Sequence, residues 1–572
     1  MRHILAAAAL FVSLAPLSPA PAGADVMAPW YAPAAQRAAQ FAEFARNIRR
    51  NVIEFQPFRA ELSGTAADGT PLRLISLNPN ANAWFVLETG EGRRRAQWHL
   101  ENTAPDLFTV SLGADAQAIQ VDSAAGSITC TPWTGELEAA RRAGLPYAPI
   151  CEGRLFLRNR GSGSRTMRES VTDFLRAYVP FGEDLITLIK GTLYEDAFLQ
   201  TSIVMDAADA AAAVEALGRA HLRRSVAMQT QMRMPLIGAS GGRLEAGAWY
   251  PVEDAPGIYA STVQPGMVHP DILNRRNEAN ALDGVENNAD VYLFAYDMGR
   301  FELRYELGTD HPAVNWSPRP SVNRNLPGPD GFADLAPLQM TGMLNPVLID
   351  RVAGIIAGGF KREHGAWRLG AMSTTNQGHH YGFVVHGVVL SRLQPGVVTV
   401  FALDDGTVQM RIWRDEDNAL LPRIRFARQN GMPLVEPGPD GIPRVGEQVR
   451  SWLGGNWSGS AEAQLRTLRS GLCLREAEGR QFLIYGVFSA ATPSGMARTF
   501  QAYGCQAAMQ LDMNSLDLTY AAVYARRPGQ EGFDILHLDR RMAESDRTDR
   551  GRPLGRFVQF SDNRDFLYFL RR

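Results

Sequence analysis

The chain is nearly without lysine: only Lys190 and Lys361 occur, and arginine supplies the remaining positive charge. That bias reads as genome composition rather than function. A basic field is missing as well, because acids balance arginines to a net charge of −2. Nucleic acid is therefore a poor candidate partner. No run approaches the roughly 18 consecutive apolar residues of a membrane-spanning helix, so no membrane span is expected. Cysteines are few: Cys130, Cys151, Cys473 and Cys505, with no Cys-x-x-Cys spacing and no adjacent histidine. That pattern disfavours a thiol catalyst or a cysteine-ligated metal. A phosphate-binding P-loop, a dinucleotide fingerprint and a Gly-x-Ser-x-Gly elbow are all missing. No repeat of solenoid length is present. No cofactor and no metal are expected.

What is present begins with an export signal. Arg2 and His3 form a short basic region, Ile4 to Leu14 an apolar one, and Ala22-Gly23-Ala24 a small-residue cleavage site. This is the pattern of a signal peptide over 1–24, with a mature chain starting at Asp25 and a periplasmic destination. In such an oxidising compartment the four cysteines read as disulfides. Three pairings are possible, and the economical one joins Cys130 to Cys151 and Cys473 to Cys505. Hydrophobic residues at 45% and charged residues at 21% fit ordinary globular domains rather than disorder.

The length calls for more than one domain, at roughly 100–200 residues each. Residues 30–50 carry Ala35, Ala39, Phe41, Phe44 and Ile48 near helical spacing. Residues 58–160 switch to short β-like runs separated by turn residues, an antiparallel sheet module. Thr166 to Lys190 reads as helix, and Asp206 as the cap of an Ala-rich helix reaching about Met228. Gly238 to Gly242 reads as a linker. From about 245 onward strand-like runs dominate, with helices expected over Gly459–Arg469 and Met496–Gly504. Asp405-Gly406 is a hairpin signal of the type I′ kind, which needs positive φ at both central residues. The expected class is α+β: an N-terminal mixed module of antiparallel sheet and helices over 25–237, a linker over 238–244, and a larger α+β domain over 245–572.

The most informative stretch runs from Gly504 to Asp517: a helix end, a short apolar strand, and a polar turn opening on Asp512. Four earlier landmarks precede it in a fixed order: Ala357-Gly358-Gly359-Phe360, Tyr381 to Gly387, Ala427 to Asn430 with Pro433-Leu434-Val435, and Arg466-Thr467 followed by Gly471-Leu472. Together they resemble the phosphodiester glycosidase family, the uncovering-enzyme-like domains, over roughly 345–525. The resemblance implies an α+β domain that hydrolyses a sugar-1-phosphodiester or a related envelope glycan bond. It places Asp512 as a catalytic carboxylate and Ser515 beside it. The family's triple glycine is replaced here by Met513-Asn514-Ser515, and its asparagine before Gly-Gly-Phe by Ala357. The resemblance therefore also leaves room for a catalytically degenerate glycan-binding or scaffold protein.

Other residues could complete such a site. Arg428 and Asn430 offer donors to an anionic or sugar ligand. The loop Gly308 to Arg319 concentrates Asp310, His311, Trp316 and Arg319, with His311 a possible ligand contact and Arg319 a possible phosphate clamp. In Gln377-Gly378-His379-His380-Tyr381, adjacent histidines on a strand would face opposite ways, so His380 is taken as a proton donor rather than a metal ligand. Asp517 and Glu363 are candidates for a second carboxylate. Trp84, Trp98 and Trp133 read as sheet core before they read as a sugar-stacking platform. The expected partner is a carbohydrate or sugar-phosphate ligand; the sequence leaves the oligomeric state open.

Overall fold

A computed structural model of the chain describes residues 30, 32–46, 51–161, 207–309, 335–359, 382–450 and 466–572, apart from positions 276, 439, 528, 530, 531, 550 and 551. The signal region, the helix expected over Thr166–Lys190 and the cap Asp206 lie outside the described residues.

Antiparallel sheets dominate, with a few helices set against them, so the α+β class holds. Near the N-terminus six strands pair in the order Ala60–Thr65, Pro71–Ser76, Trp84–Thr89, Ala96–Glu101, Leu155–Arg158, Tyr147–Ile150. The outermost, Ala60–Thr65, alternates between half-buried and exposed residues, as an edge strand with one wet face does. Trp84 and Trp98 are buried in this layer, and Trp133 packs at its margin, so the tryptophans are core.

An eight-stranded sheet forms the centre of the second half. Its middle strands are Val291–Asp297, Arg480–Ala491, Thr467–Ala477 and Ala507–Met513. Every residue of Ala507–Met513 is buried. The helix Pro493–Ala502 covers this sheet through Met496, Ala497 and Phe500. Its start is fixed by Thr492, whose side chain accepts from Gly495 N, and by Pro493 in the first turn. A five-stranded sheet follows the order Phe301–Glu306, Phe566–Arg571, Val352–Ala357, Ala521–Ala525, Asp534–His537. A third sheet contains Phe383–Val385, Val388–Ser391, Ile424–Gln429, Val398–Leu403 and Val408–Ile412.

The cysteines pair as the economical reading has it, Cys130 with Cys151 and Cys473 with Cys505. Four local expectations change. Thr467 to Arg469 are strand rather than the end of a helix. The Ala-rich helix is Ala207–Leu217, because Gly218 turns left-handed at φ 59° and stops it. Gly238 to Gly242 lie in the connection between the paired strands Ala227–Gln229 and Arg243–Glu245. The hairpin at Asp405-Gly406 forms, but only Gly406 has positive φ. The dipeptide with positive φ at both residues is His386-Gly387, between Phe383–Val385 and Val388–Ser391.

One apolar core runs through both halves, joining Phe55, Ile75, Trp84 and Val86 to Tyr305, Val384 and Phe569. A buried ionic cluster crosses the same boundary. Arg158, with no exposed side-chain area, pairs with Glu101 and, at 3.0 Å, with Glu306. Its guanidinium lies 4.5 Å from the Trp84 ring centre. One cation facing two buried carboxylates leaves excess negative charge, and burial pushes Glu306 up to about 7 despite Arg158.

Candidate active site

The strand Ala507–Met513 ends in an irregularity that aims Asp512. Along its neighbour, Arg469 pairs with Met513 and Gly471 with Gln510, so three steps on one strand match two on the other. The extra residue makes a β-bulge opposite Ser470, whose hydroxyl donates to the Asp512 carbonyl at 2.9 Å. Bulges of this kind re-aim side chains at the ends of strands. The bulge also brings Gln510 and Met513 to one side: the Met513 sulfur lies 3.5 Å from Arg469 Nη1 and 3.8 Å from Gln510 Nε2. Asn514 then turns the chain with φ 83°, a conformation that asparagine tolerates better than most residues.

Asp512 is 3% exposed. One carboxylate oxygen accepts from the Met513 N–H at 2.8 Å and the other from Arg564 Nη1 at 3.1 Å. Burial pushes its pKa up from 3.8 to about 6, against the pull of Arg564, the Met513 amide and Arg428, with Asp517 adding repulsion. A carboxyl group poised there exchanges a proton near neutral pH, as a general acid or base must.

Two glycines pack against Arg428 and Asn430. Gly358 receives the Phe566 backbone so closely that a Cβ would stand 2.9 Å from its nitrogen. Gly359 has φ 108°, and a Cβ there would meet Asn430 Nδ2 at 3.4 Å and Arg428 Nε at 3.6 Å. Close approach requires glycine at 358, and the positive φ favours it at 359. Arg428, buried on the strand Ile424–Gln429, donates from Nε to the Gly358 carbonyl at 3.2 Å, and its Nη2 lies 3.9 Å from Asp565 Oδ2. Tyr305 donates to the same Asp565 oxygen at 2.5 Å, and Gly308 N to the other at 3.0 Å. Asn430 donates through Nδ2 to the Gln510 carbonyl at 2.5 Å. Its Oδ1 is buried with no hydrogen-bond partner among the described residues. Such an acceptor costs about 1–3 kcal/mol unless a donor arrives.

Asp512, Arg428 and Asn430 thus lie together with the Gly-Gly turn. Asn514, in the turn after Asp512, is tied to the preceding landmark: Thr467 Oγ1 lies 3.2 Å from Asn514 Oδ1. Ser515, by contrast, is turned to its neighbour: its hydroxyl donates to Asp517, and both sit at the surface side of the turn. Arg466 pairs with Asp283 at 2.9 Å. His311, Arg319, His380 and Glu363 lie outside the described residues. Arg564, Asp565, Tyr305 and Arg469 were not foreseen. The only sequence signal for the first two was a polar Ser561-Asp-Asn-Arg-Asp565 run opening directly onto an apolar strand. A separate polar cleft, lined by Asp106, Glu302, Arg304, Asp404, Arg425 and Arg572 among others, shares none of these residues. Its cations are engaged locally, Arg304 with Glu302 and Arg572 with the Phe301 carbonyl.

No family profile and no curated protein matches the chain. Among solved structures, the chain is similar to the catalytic domain of zebrafish N-acetylglucosamine-1-phosphodiester alpha-N-acetylglucosaminidase, auto-inhibited by its pro-peptide. The identity is 10%, the TM-score 0.28, and the match covers 56% of this chain and 85% of that one. A hypothetical protein from Synechocystis matches at 13% identity and TM-score 0.25, over 89% of this chain and 99% of that one. A Burkholderia pseudomallei protein assigned as exported matches at 12% identity and TM-score 0.22, over 50% of this chain and 74% of that one. At these TM-scores none of the three fixes the fold or the activity of this chain.

Proposed function

We propose that the protein is an exported, periplasmic hydrolase that cleaves a sugar-1-phosphodiester or related envelope glycan bond. Its site lies in the domain from 245 to 572, and the module over 25–237 is held to that domain. The carrying observation is convergence. Residues far apart in sequence, Gly358-Gly359, Arg428, Asn430 and Asp512, meet in one place together with Arg564 and Asp565. Two disulfides fit an oxidising compartment.

The chemistry follows from charge. As the bond between the anomeric carbon and the phosphate oxygen lengthens, positive charge grows on the sugar and negative charge on the phosphate. The Asp512 carboxylate faces the first; the Arg428 and Arg564 guanidiniums offer donors to the second. Water adds to the anomeric carbon, its proton passes to a base, and the phosphate monoester leaves. A phosphate ester leaves readily, so the acid demand is small. Asp512, with a pKa near 6, can take that proton. The orphaned Asn430 Oδ1 suits a sugar hydroxyl donor.

A second reading has its own observation. Met513 and Asn514 stand where the resembled family has glycines, and the Met513 side chain is buried against Arg469 and Gln510. On that reading the site binds a glycan phosphate without turnover. Incubating purified protein with synthetic sugar 1-(methyl phosphate) compounds and measuring released sugar separates the two. Wild type should release sugar, and Asp512→Ala should lose about 100-fold or more. Binding without release, abolished by Arg428→Ala, would establish the second reading. Neither binding nor release by folded wild type would overturn both for these ligands.

A further inference from the structure

A cluster unrelated to the residues above lies where the chain leaves the helix Ala207–Leu217. The segment after Gly218 runs antiparallel to the segment before Pro270, with Leu222 bridged to Val268. His269 N donates to the His221 carbonyl at 3.0 Å, Arg223 N to the Met267 carbonyl at 2.9 Å, and His221 N to the Ala502 carbonyl at 2.7 Å. These bonds set His221 directly across from His269. The imidazole centres are 4.3 Å apart, with the rings tilted by 40°. Asp271, one residue past Pro270, turns its carboxylate to the same point: Oδ2 is 3.1 Å from His269 Nδ1. One ligand atom from each of His221, His269 and Asp271 lies within 4.8 Å of the other two.

We propose that these three side chains form a binding site for a divalent transition ion of the zinc type. Two imidazole nitrogens and one carboxylate oxygen are a donor set suited to such an ion, whereas calcium and magnesium favour all-oxygen shells. Bonds of about 2.0–2.1 Å in a tetrahedron put neighbouring ligands about 3.3 Å apart. The His269–Asp271 separation is already close to that value, with His269 Nδ1 also accepting from the Asp271 N–H at 3.3 Å, and the backbone pairing holds a His221 nitrogen within 4.8 Å of the other two ligand atoms. A plain ion pair between His269 and Asp271 would account for only two of the three groups. His221 and Asp271 are exposed and His269 is half-buried, so an ion can enter from solvent and keep water in the remaining position. The ligands come from two distant segments, so the ion binds the folded chain and fastens the exit of the helix Ala207–Leu217 to the turn at Pro270.

The test uses the mature chain, stripped of metal with a chelator and titrated with Zn²⁺ against a chromogenic competitor. One equivalent should bind at micromolar concentration or tighter. His221→Gln and Asp271→Asn should each weaken it by about tenfold or more, and Zn²⁺ should raise the thermal midpoint of wild type but not of His221→Gln. Co²⁺ loading should give a visible absorption band that His221→Gln lacks. The His221 carbonyl and amide bonds belong to the backbone, so that variant keeps the local pairing. Zinc binding that His221→Gln and Asp271→Asn leave unchanged would assign the metal to the chain's other histidines and overturn the proposal. Absence of binding by wild type would overturn it as well.

Discussion

Replacing Asp512 by asparagine should make the protein less sensitive to alkali, in a way that reports on the site directly. In the folded chain burial pushes the carboxyl from its ordinary 3.8 to about 6. A carboxyl whose folded pKa is raised favours folding while protonated and loses that advantage as pH rises. Below pH 3.8 the group is protonated in both states, and burial of its charge costs nothing. Between 3.8 and 6 the unfolded chain releases the proton and the folded chain holds it. Above about 6 the cost is complete. At about 1.36 kcal/mol per pH unit, the interval amounts to about 3 kcal/mol. The amide of Asp512→Asn cannot ionise, so that variant lacks this slope. The lost partner of Arg564 adds an offset that does not depend on Asp512 titrating. The assay is urea unfolding of both proteins, disulfides intact, at several pH values from about 4 to 7.5, and the quantity is the difference between them. Glu306, pushed up to about 7, titrates in both and cancels. Wild type should lose about 2.5 kcal/mol relative to the variant as pH rises across this range. A flat difference would mean that Asp512 is not poised near neutrality. A difference of opposite sign would mean that Arg564 and Arg428 outweigh burial. Either result would remove the basis for Asp512 as a proton-transfer group.

Arg158→Leu should destabilise the fold by about 3–5 kcal/mol, because it strands Glu101 and Glu306 without their shared cation; chemical denaturation should show the loss shrinking at about pH 5, where the carboxyls can take up protons, and Glu306→Gln should recover part of it. Gly359→Ala should cost about 1–3 kcal/mol from its φ of 108°, and ligand titration should show weakened sugar-phosphate binding, since relieving that strain moves the turn that packs on Asn430 and Arg428.

Much of the fold could be read in advance because its determinants are local. Alternating apolar runs between turn residues mark antiparallel strands whatever their partners. The disulfides follow from short separations in an oxidising compartment. The errors came where one residue overrides a pattern: Gly218 ends a run of alanines that could otherwise continue as helix, and Thr467 to Arg469 join a strand because a sheet is there to receive them. The site divides the same way. Asp512, Arg428 and Asn430 stood in ordered landmarks. Arg564 and Asp565 did not, because what brings them to Asp512 is sheet order. The strand Phe566–Arg571 inserts between Phe301–Glu306 and Val352–Ala357, and no spacing in the sequence announces that insertion. The bulge opposite Ser470 was hidden for a similar reason, since it is a mismatch between two strands rather than a property of one.

That insertion ties one sheet and the residues around Asp512 to a single strand. Phe566–Arg571 occupies an interior place in its sheet, hydrogen-bonded on both sides. A chain lacking 564–571 would leave Phe301–Glu306 and Val352–Ala357 without the strand that joins them, and Asp512 without its guanidinium partner.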